Sequence, residues 1–224
     1  MNEKETVWVS TISESRYPTY APCINTWDKL PGRKIMFAEG SFSPIDAVEV
    51  VDFKDIVFDN CKWLSKKRPN KATRFWFKAM TIYHALKEKY SRYIVWIDAD
   101  VMVIESPVLD VDLQGNPFAA MHFVNGGVGA TPGIESGLMI FDTEHPEIDI
   151  LAEEYISFWE EEKLFDLRRP YDTCVIDEIA QKYGFLNLVP ENTKKLVPGS
   201  NSFEYTELAK YLIHHIGKDN KEIL

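Results

Sequence analysis

The chain has 224 residues, 45% hydrophobic and 27% charged, and its 35 Asp and Glu against 25 Lys and Arg give a formal charge of −10. That excess repels phosphate backbones and anionic lipid, so nucleic acid is not a bulk partner. Cys23, Cys61 and Cys174 are odd in number and unclustered, which argues against a disulfide framework or a Cys-rich zinc site. A polar start, no apolar run of membrane-span length and no glycosylation sequon predict a cytoplasmic protein with no membrane span. The size fits one domain over residues 1–224.

Stretches rich in β-branched and aromatic residues predict strands at Thr6–Ile12, Lys34–Ala38, Asp55–Phe58, Tyr93–Ile97, Phe118–Phe123, Leu138–Phe141, Leu186–Val189 and Tyr211–His215. Helical period appears between them. Over Arg74–Tyr90, Trp76, Ala79, Met80, Tyr83 and Leu86 share one face, and over Glu147–Phe165, Ile148, Leu151, Ala152, Tyr155 and Trp159 form a stripe. A third helix, Asp172–Tyr183, closes at Gly184. Alternating strands and helices predict an α/β fold with a mixed, mostly parallel central sheet covered on both faces. The glycine-rich stretch Asn125–Gly137 predicts a loop. It lacks a Gly-Lys-Ser/Thr ending, and Gly127, Gly129 and Gly133 are spaced one residue too far for a dinucleotide fingerprint. It reads as an acceptor-side loop or as a plain connection. The six tryptophans read as core.

Tyr93–Ile97 is apolar throughout, as a central strand should be, and ends abruptly in Asp98-Ala99-Asp100. Ligands of such sheets sit beyond the carboxyl ends of the strands, and two carboxylates at i and i+2 around a bend can face one hard cation. The alternative is that one Asp caps a turn and the other is solvated. On the helix before this strand, Arg74, Lys78 and Thr81 form a polar stripe.

The run from Phe75 to Pro107 resembles the helix, strand and DxD motif of GT-A fold glycosyltransferases, families 8 and 34 in particular. Glu135–Thr143, "ESGLMIFDT", is similar to the strand that follows the DxD strand on the acceptor side. Tyr171–Asp177, "YDTCVID", sits where those enzymes have an Asp-Gln helix start, with Thr173 in place of Gln. His214–Lys221, "HHIGKDNK", resembles the C-terminal His-x-x-Gly-x-x-Lys motif, although Asn220 occupies the lysine position, between Lys218 and Lys221.

The resemblance implies a single GT-A-like, Rossmann-like domain that moves a sugar from a nucleoside-diphosphate sugar, UDP-sugar foremost, to a glycan or other hydroxyl acceptor. It implies a divalent metal, Mn²⁺ or Mg²⁺, on Asp98, Asp100 and His214. It also implies donor contacts from Ser10, Thr11, Lys78, Asp98, Gly217, Lys218 and Lys221, and catalytic positions at Asp172 and Glu135. Families 8 and 34 retain anomeric configuration. Retention therefore gives Asp172 the role of orienting the sugar or stabilising its positive charge, while inversion would make Asp172, Glu135 or Asp177 a base. Strand alternation expects His214 and His215 to face opposite sides.

Two other readings compete: a nucleotide-sugar-binding protein without turnover, and a haloacid-dehalogenase-like phosphatase, whose apolar strand also ends in DxD. The phosphatase class places that strand near the N-terminus and adds a later acidic pair that is missing here. A nucleotidyltransferase would need a basic glycine-rich loop after the first strand, and "STISESRYP" supplies none.

Overall fold

The structure is a computed structural model and describes residues 5–56, 70–108, 112–123, 133–190, 193 and 201–214. In chain order its elements are β1 (Thr6–Ser13), α1 (Tyr17–Ile24), β2 (Arg33–Glu39), β3 (Glu49–Asp52), α2 (Asn70–Glu88), β4 (Tyr93–Ile97), β5 (Met102–Val103), β6 (Phe118–Phe123), β7 (Gly133–Asp142), α3 (Ile148–Glu160), α4 (Asp172–Tyr183), β8 (Leu186–Asn187) and β9 (Leu212–Ile213), with short 3₁₀ turns between some of them. Seven strands form one sheet in the order β3-β2-β1-β4-β7-β6-β8, and β5 pairs with β9 in a separate ribbon. Strand β7 runs antiparallel to both of its neighbours, and every other pairing in the large sheet is parallel. This is the mixed, mostly parallel α/β sheet that the strand–helix alternation predicts.

The period-2 geometry of the central strands divides the core in two. Ile94 and Trp96 of β4, with Val7 and Val9 of β1 and Met139 and Phe141 of β7, pack against the apolar stripes of α2, α3 and α4. Val95 and Ile97, Trp8 and Ile12, and Leu138 and Ile140 point the other way, onto Ile24, Trp27, Phe203, Leu208 and Leu212. Each large apolar side chain fully removed from water contributes about 1.5–3 kcal/mol, so both layers are needed to hold β4 central. Five of the six tryptophans (Trp8, Trp27, Trp76, Trp96 and Trp159) are buried core residues as expected, and Trp63 lies outside the described residues.

Several boundaries differ from expectation for local reasons. The strand expected at Asp55–Phe58 is not seen at Asp55 or Ile56, residues 57 and 58 lie outside the described residues, and the edge strand of the sheet is β3, Glu49–Asp52. There the Asp52 carboxylate accepts from Lys54 N at 2.9 Å and turns the chain into a 3₁₀ turn over Phe53–Asp55. Helix α3 stops at Glu160 rather than Phe165, because Glu162 takes the left-handed conformation, φ 65°, before a 3₁₀ turn at Lys163–Asp166. Helix α1 is unforeseen. It carries Pro18 and Pro22 and buries only Ile24, so it has no apolar period to read. The strand expected at Leu186–Val189 ends at Asn187, whose side-chain oxygen takes the His122 and Val189 amides. That expected at Tyr211–His215 is strand only over Leu212–Ile213, and His215 lies outside the described residues.

The largest difference is at the glycine-rich stretch, whose end from Gly133 to Gly137 is the first half of β7 rather than loop. Register with β6 breaks there. Ala120 faces Met139 while Met121 faces Glu135, so Ser136, Gly137 and Leu138 bulge out of the β6 ladder. Bulges re-aim side chains, and this one lies at the carboxyl end of β4.

Tyr155 is buried in the α2–α4 layer, and its hydroxyl has no hydrogen-bond partner among the described residues. An unsatisfied buried hydroxyl costs about 1–3 kcal/mol. Tyr155→Phe is therefore expected to raise unfolding stability by about 1 kcal/mol, measured as a higher urea midpoint at unchanged slope. A lower midpoint would show that the hydroxyl is satisfied in solution.

Candidate active site

The site begins where β4 runs out of pairing. The Asp98 amide continues the β4–β7 ladder by donating to Gly137 O at 2.9 Å, and the Val101 amide then folds back onto Asp98 O at 3.0 Å. This bend carries both carboxylates of Asp98-Ala99-Asp100 to one side. The chain leaves it as β5, whose Met102 and Val103 pair with Ile213 and Leu212 of β9. That register brings the next residue of the β9 segment, His214, beside Asp100. The His214 Nε2 is 3.3 Å from Asp100 Oδ1, and ligand atoms of Asp98, Asp100 and His214 all lie within 4.8 Å of one another.

Behind the bend is a second group of charges. Lys78 of α2 is buried and donates from Nζ to Asp98 Oδ1 at 3.1 Å, to Ser136 O at 2.6 Å and to Ser136 Oγ at 3.0 Å. It also forms an ion pair with Asp172 Oδ2 at 2.9 Å, an oxygen that accepts the Ser136 hydroxyl at 2.7 Å. Trp96 Nε1 donates to the same Asp98 Oδ1 at 2.8 Å, and the Lys78 ammonium sits 4.9 Å from the Trp96 ring centre. Burial alone would push Lys78 toward its neutral form. Asp172 and Asp98 outweigh that penalty and raise its pKa.

Glu135, on β7, accepts the Gly137 amide at 3.3 Å and stands 3.9 Å from His214 Nδ1. Burial raises its pKa, a shift that His214 opposes and Asp98 reinforces. Burial likewise works against the charge on Asp100, but the His214 imidazole reverses the effect and holds the carboxyl below its ordinary value. For His214 burial again opposes the charge, and the Asp100 carboxylate, with Glu135 and Asp98, carries the pKa up to about 9.

The donor set fits a divalent cation. Asp98 Oδ1 is taken by Lys78 and Trp96, while Asp100 Oδ1 is buried and, among the described residues, meets the His214 ring at 3.3 Å without a well-formed hydrogen bond. Among the described residues, Asp98, Asp100, Glu135 and Asp172 are compensated by Lys78 and His214. A cation among Asp98, Asp100 and His214 would supply a further partner for Asp100 and further positive charge.

The structure thus brings together Asp98, Asp100, His214, Lys78, Asp172 and Glu135. Lys78 and Thr81 are buried, so their part of the helix stripe is not a solvated face, whereas Arg74 is exposed. Ser10 and Thr11 lie one and two residues past Val9, which pairs with Trp96, and so are level with the end of β4. There the Ser10 hydroxyl is buried and Thr11 Oγ1 donates to Phe37 O at 2.8 Å. Gly217, Lys218 and Lys221 lie outside the described residues. Sequence reasoning missed the contributions of Trp96, Ser136 and Ser202. Ser136 was within the strand motif, whereas nothing around Ser202 signals a site. A polar surface depression by Lys89, Arg92 and Asp149 lies at the amino end of β4, away from this chemistry, and its Lys89–Asp149 and Arg92–Glu144 pairs are 3.2 and 3.3 Å.

No protein-family model matches the chain, and no curated protein matches it in sequence. Solved structures do. The apo form of the glycosyltransferase GlyE of Streptococcus pneumoniae TIGR4 superposes with a TM-score of 0.56 at 13% identity, covering 82% of this chain and 45% of that one. A glycosyltransferase involved in glycosylation of the major capsid of PBCV-1 gives 0.54 at 13% identity, covering 97% of this chain and 95% of that one. The fold is the GT-A glycosyltransferase fold. The chain spans under half the length of GlyE. The GT-A fold places Asp98, Asp100 and His214 at the carboxyl end of the central strand, where open α/β sheets bind ligands.

Two measurements probe this electrostatic frame. Lys78→Met leaves Asp98 and Asp172 without their shared cation and should cost about 3–5 kcal/mol of unfolding free energy. Adding Asp172→Asn should recover part of that loss in a urea titration. The second concerns Asp177, which accepts the Ile134 amide at 2.8 Å at the start of β7 and whose pKa burial raises to about 6. Because the folded-state pKa lies above the unfolded one, Asp177 contributes stability at acid pH that is lost as pH rises through about 6. Asp177→Asn should therefore gain about 1–2 kcal/mol at pH 7.5 relative to the parent, after discounting for its partial exposure. The gain should vanish below about pH 4.

Proposed function

We propose that the chain, as a single GT-A-like domain, is a metal-dependent glycosyltransferase that moves a sugar from a nucleoside-diphosphate sugar, UDP-sugar foremost, to a hydroxyl of a glycan acceptor. The observation that carries this reading is the joining of Asp98, Asp100 and His214 into one cation-sized cluster at the switch point of a GT-A sheet. Asp98, Asp100 and His214 hold Mn²⁺ or Mg²⁺, which when bound neutralises charge on the departing diphosphate. Ser10 and Thr11 contact the nucleoside, mainly through backbone at the end of β1. Gly217, Lys218 and Lys221 serve the diphosphate.

Asp172 and Glu135 flank the sugar position. Asp172, fixed by Lys78 and the Ser136 hydroxyl, orients the donor sugar and stabilises the positive charge that develops at its anomeric carbon. Lys78 keeps the Asp98 and Asp172 carboxylates together beside the donor. Transfer proceeds with retention: the acceptor proton passes to the diphosphate on the same face, so the chain supplies no obligatory base. A nucleotide-sugar-binding protein without turnover would need the same cluster, but release of nucleoside diphosphate distinguishes it. The phosphatase reading has no support from the sheet order.

Asp100→Ala should reduce release of nucleoside diphosphate from its donor by roughly 100-fold or more and remove the response to added Mn²⁺. A panel of nucleotide sugars, screened by thermal shift with and without Mn²⁺, identifies the donor for this assay. Unchanged turnover and unchanged Mn²⁺ response in the variant would overturn the proposal. Proton NMR of the first-formed product, expected to keep the donor's anomeric configuration, tests retention.

A further inference from the structure

We infer that Ser202 is the positioning residue that presents His214 Nε2 to the divalent metal, an inference that rests on the metal-dependent reading of the site. The two ring nitrogens of His214 meet different surroundings. Nε2 is on the side of the acidic pair, 3.3 Å from Asp100 Oδ1, whereas Nδ1 lies 3.0 Å from Ser202 Oγ. An imidazole binds a cation through an unprotonated nitrogen. Ligation through Nε2 therefore requires the hydrogen on Nδ1, where the Ser202 hydroxyl accepts it.

Ser202 grips the histidine twice. It is fully buried, and its amide donates to His214 O at 2.9 Å while its hydroxyl meets the ring. Its neighbour Asn201 accepts the His214 amide at 2.9 Å and donates to Leu212 O at 3.2 Å, so backbone and ring are located by the same two-residue segment. The opposite wall is Gly137. A Cβ there would stand 2.6 Å from His214 Cε1 and Nδ1, so the ring cannot move toward β7. Glu135 is a weaker guide. Its Oε1 is 3.9 Å from Nδ1, beyond hydrogen-bond distance, and is engaged by the Gly137 amide. Without the Ser202 hydroxyl, the backbone of His214 stays in place but, among the described residues, no acceptor within hydrogen-bond distance holds a hydrogen on Nδ1.

The test uses the full chain and metal alone. Calorimetry with Mn²⁺ compares the parent, Ser202→Ala and His214→Ala, while melting in EDTA follows the fold. Long-range ¹H–¹⁵N spectra of the parent with Zn²⁺, a diamagnetic stand-in, report which ring nitrogen carries hydrogen. The expected result is a loss of Mn²⁺ affinity of about 10-fold or more in Ser202→Ala, with an EDTA melting curve close to the parent's. The parent spectrum should show a hydrogen on Nδ1 of His214 and metal at Nε2. If His214→Ala binds Mn²⁺ as the parent does, the metal reading of the cluster fails. If His214→Ala loses binding while Ser202→Ala keeps it, the role of Ser202 fails and the metal reading stands. Should Ser202→Ala not fold, the parent spectrum decides: metal at Nδ1 overturns the inference and metal at Nε2 supports it.

Discussion

Removing an ammonium group from water is one of the larger penalties a fold can carry, and Lys78 carries it in the middle of this site. The penalty is tolerable because Asp98, Asp172 and the carbonyl and hydroxyl of Ser136 converge on its three hydrogens. Those partners come from the end of β4, the start of α4 and the bulge of β7, while the lysine comes from α2. One charge therefore ties together four secondary-structure elements. The same contacts leave Asp98 with one oxygen committed inward, so the carboxylate cannot rotate freely.

Two irregularities of the sheet make this convergence possible. A regular β6–β7 ladder would keep Ser136 and Gly137 in register with β6 and alternate their side chains across the sheet. The bulge releases them, so that the Ser136 carbonyl and hydroxyl reach Lys78 while the Gly137 backbone passes close under His214. The β5–β9 ribbon is the second irregularity. It is only two residues long on each side, yet its register sets His214 beside Asp100, and it is braced by Trp27, whose indole donates to Val101 O at 2.9 Å.

The fold was legible in the sequence wherever burial follows the period of the element. β4 is apolar on both faces because both faces are covered, and α2 to α4 have stripes because each buries one side only. Helix α1 and strand β3 were not legible, since the first buries a single residue and the second is a half-buried edge strand. The acidic pair stood out for a physical reason, as charge directly following a buried strand. His214 was found only through resemblance, because a histidine in an apolar segment is ordinarily structural. The residues that hydrogen-bond Lys78, Asp172 and His214, Ser136 and Ser202, are small hydroxyl residues with no pattern of their own. Their roles arise from the bulge and from the return of the chain after β8, which are tertiary facts.

The ligand set joins the carboxyl end of β4 to a segment that follows β9, so Asp100 and His214 meet only after nearly the whole described chain has been laid down. Closing so long a loop costs entropy that the two-residue ribbon alone recovers poorly. A cation bridging the two would act as a clasp on the native topology, favouring the closed arrangement in proportion to its free concentration. An ion held there would thereby also mark the closing of the described fold.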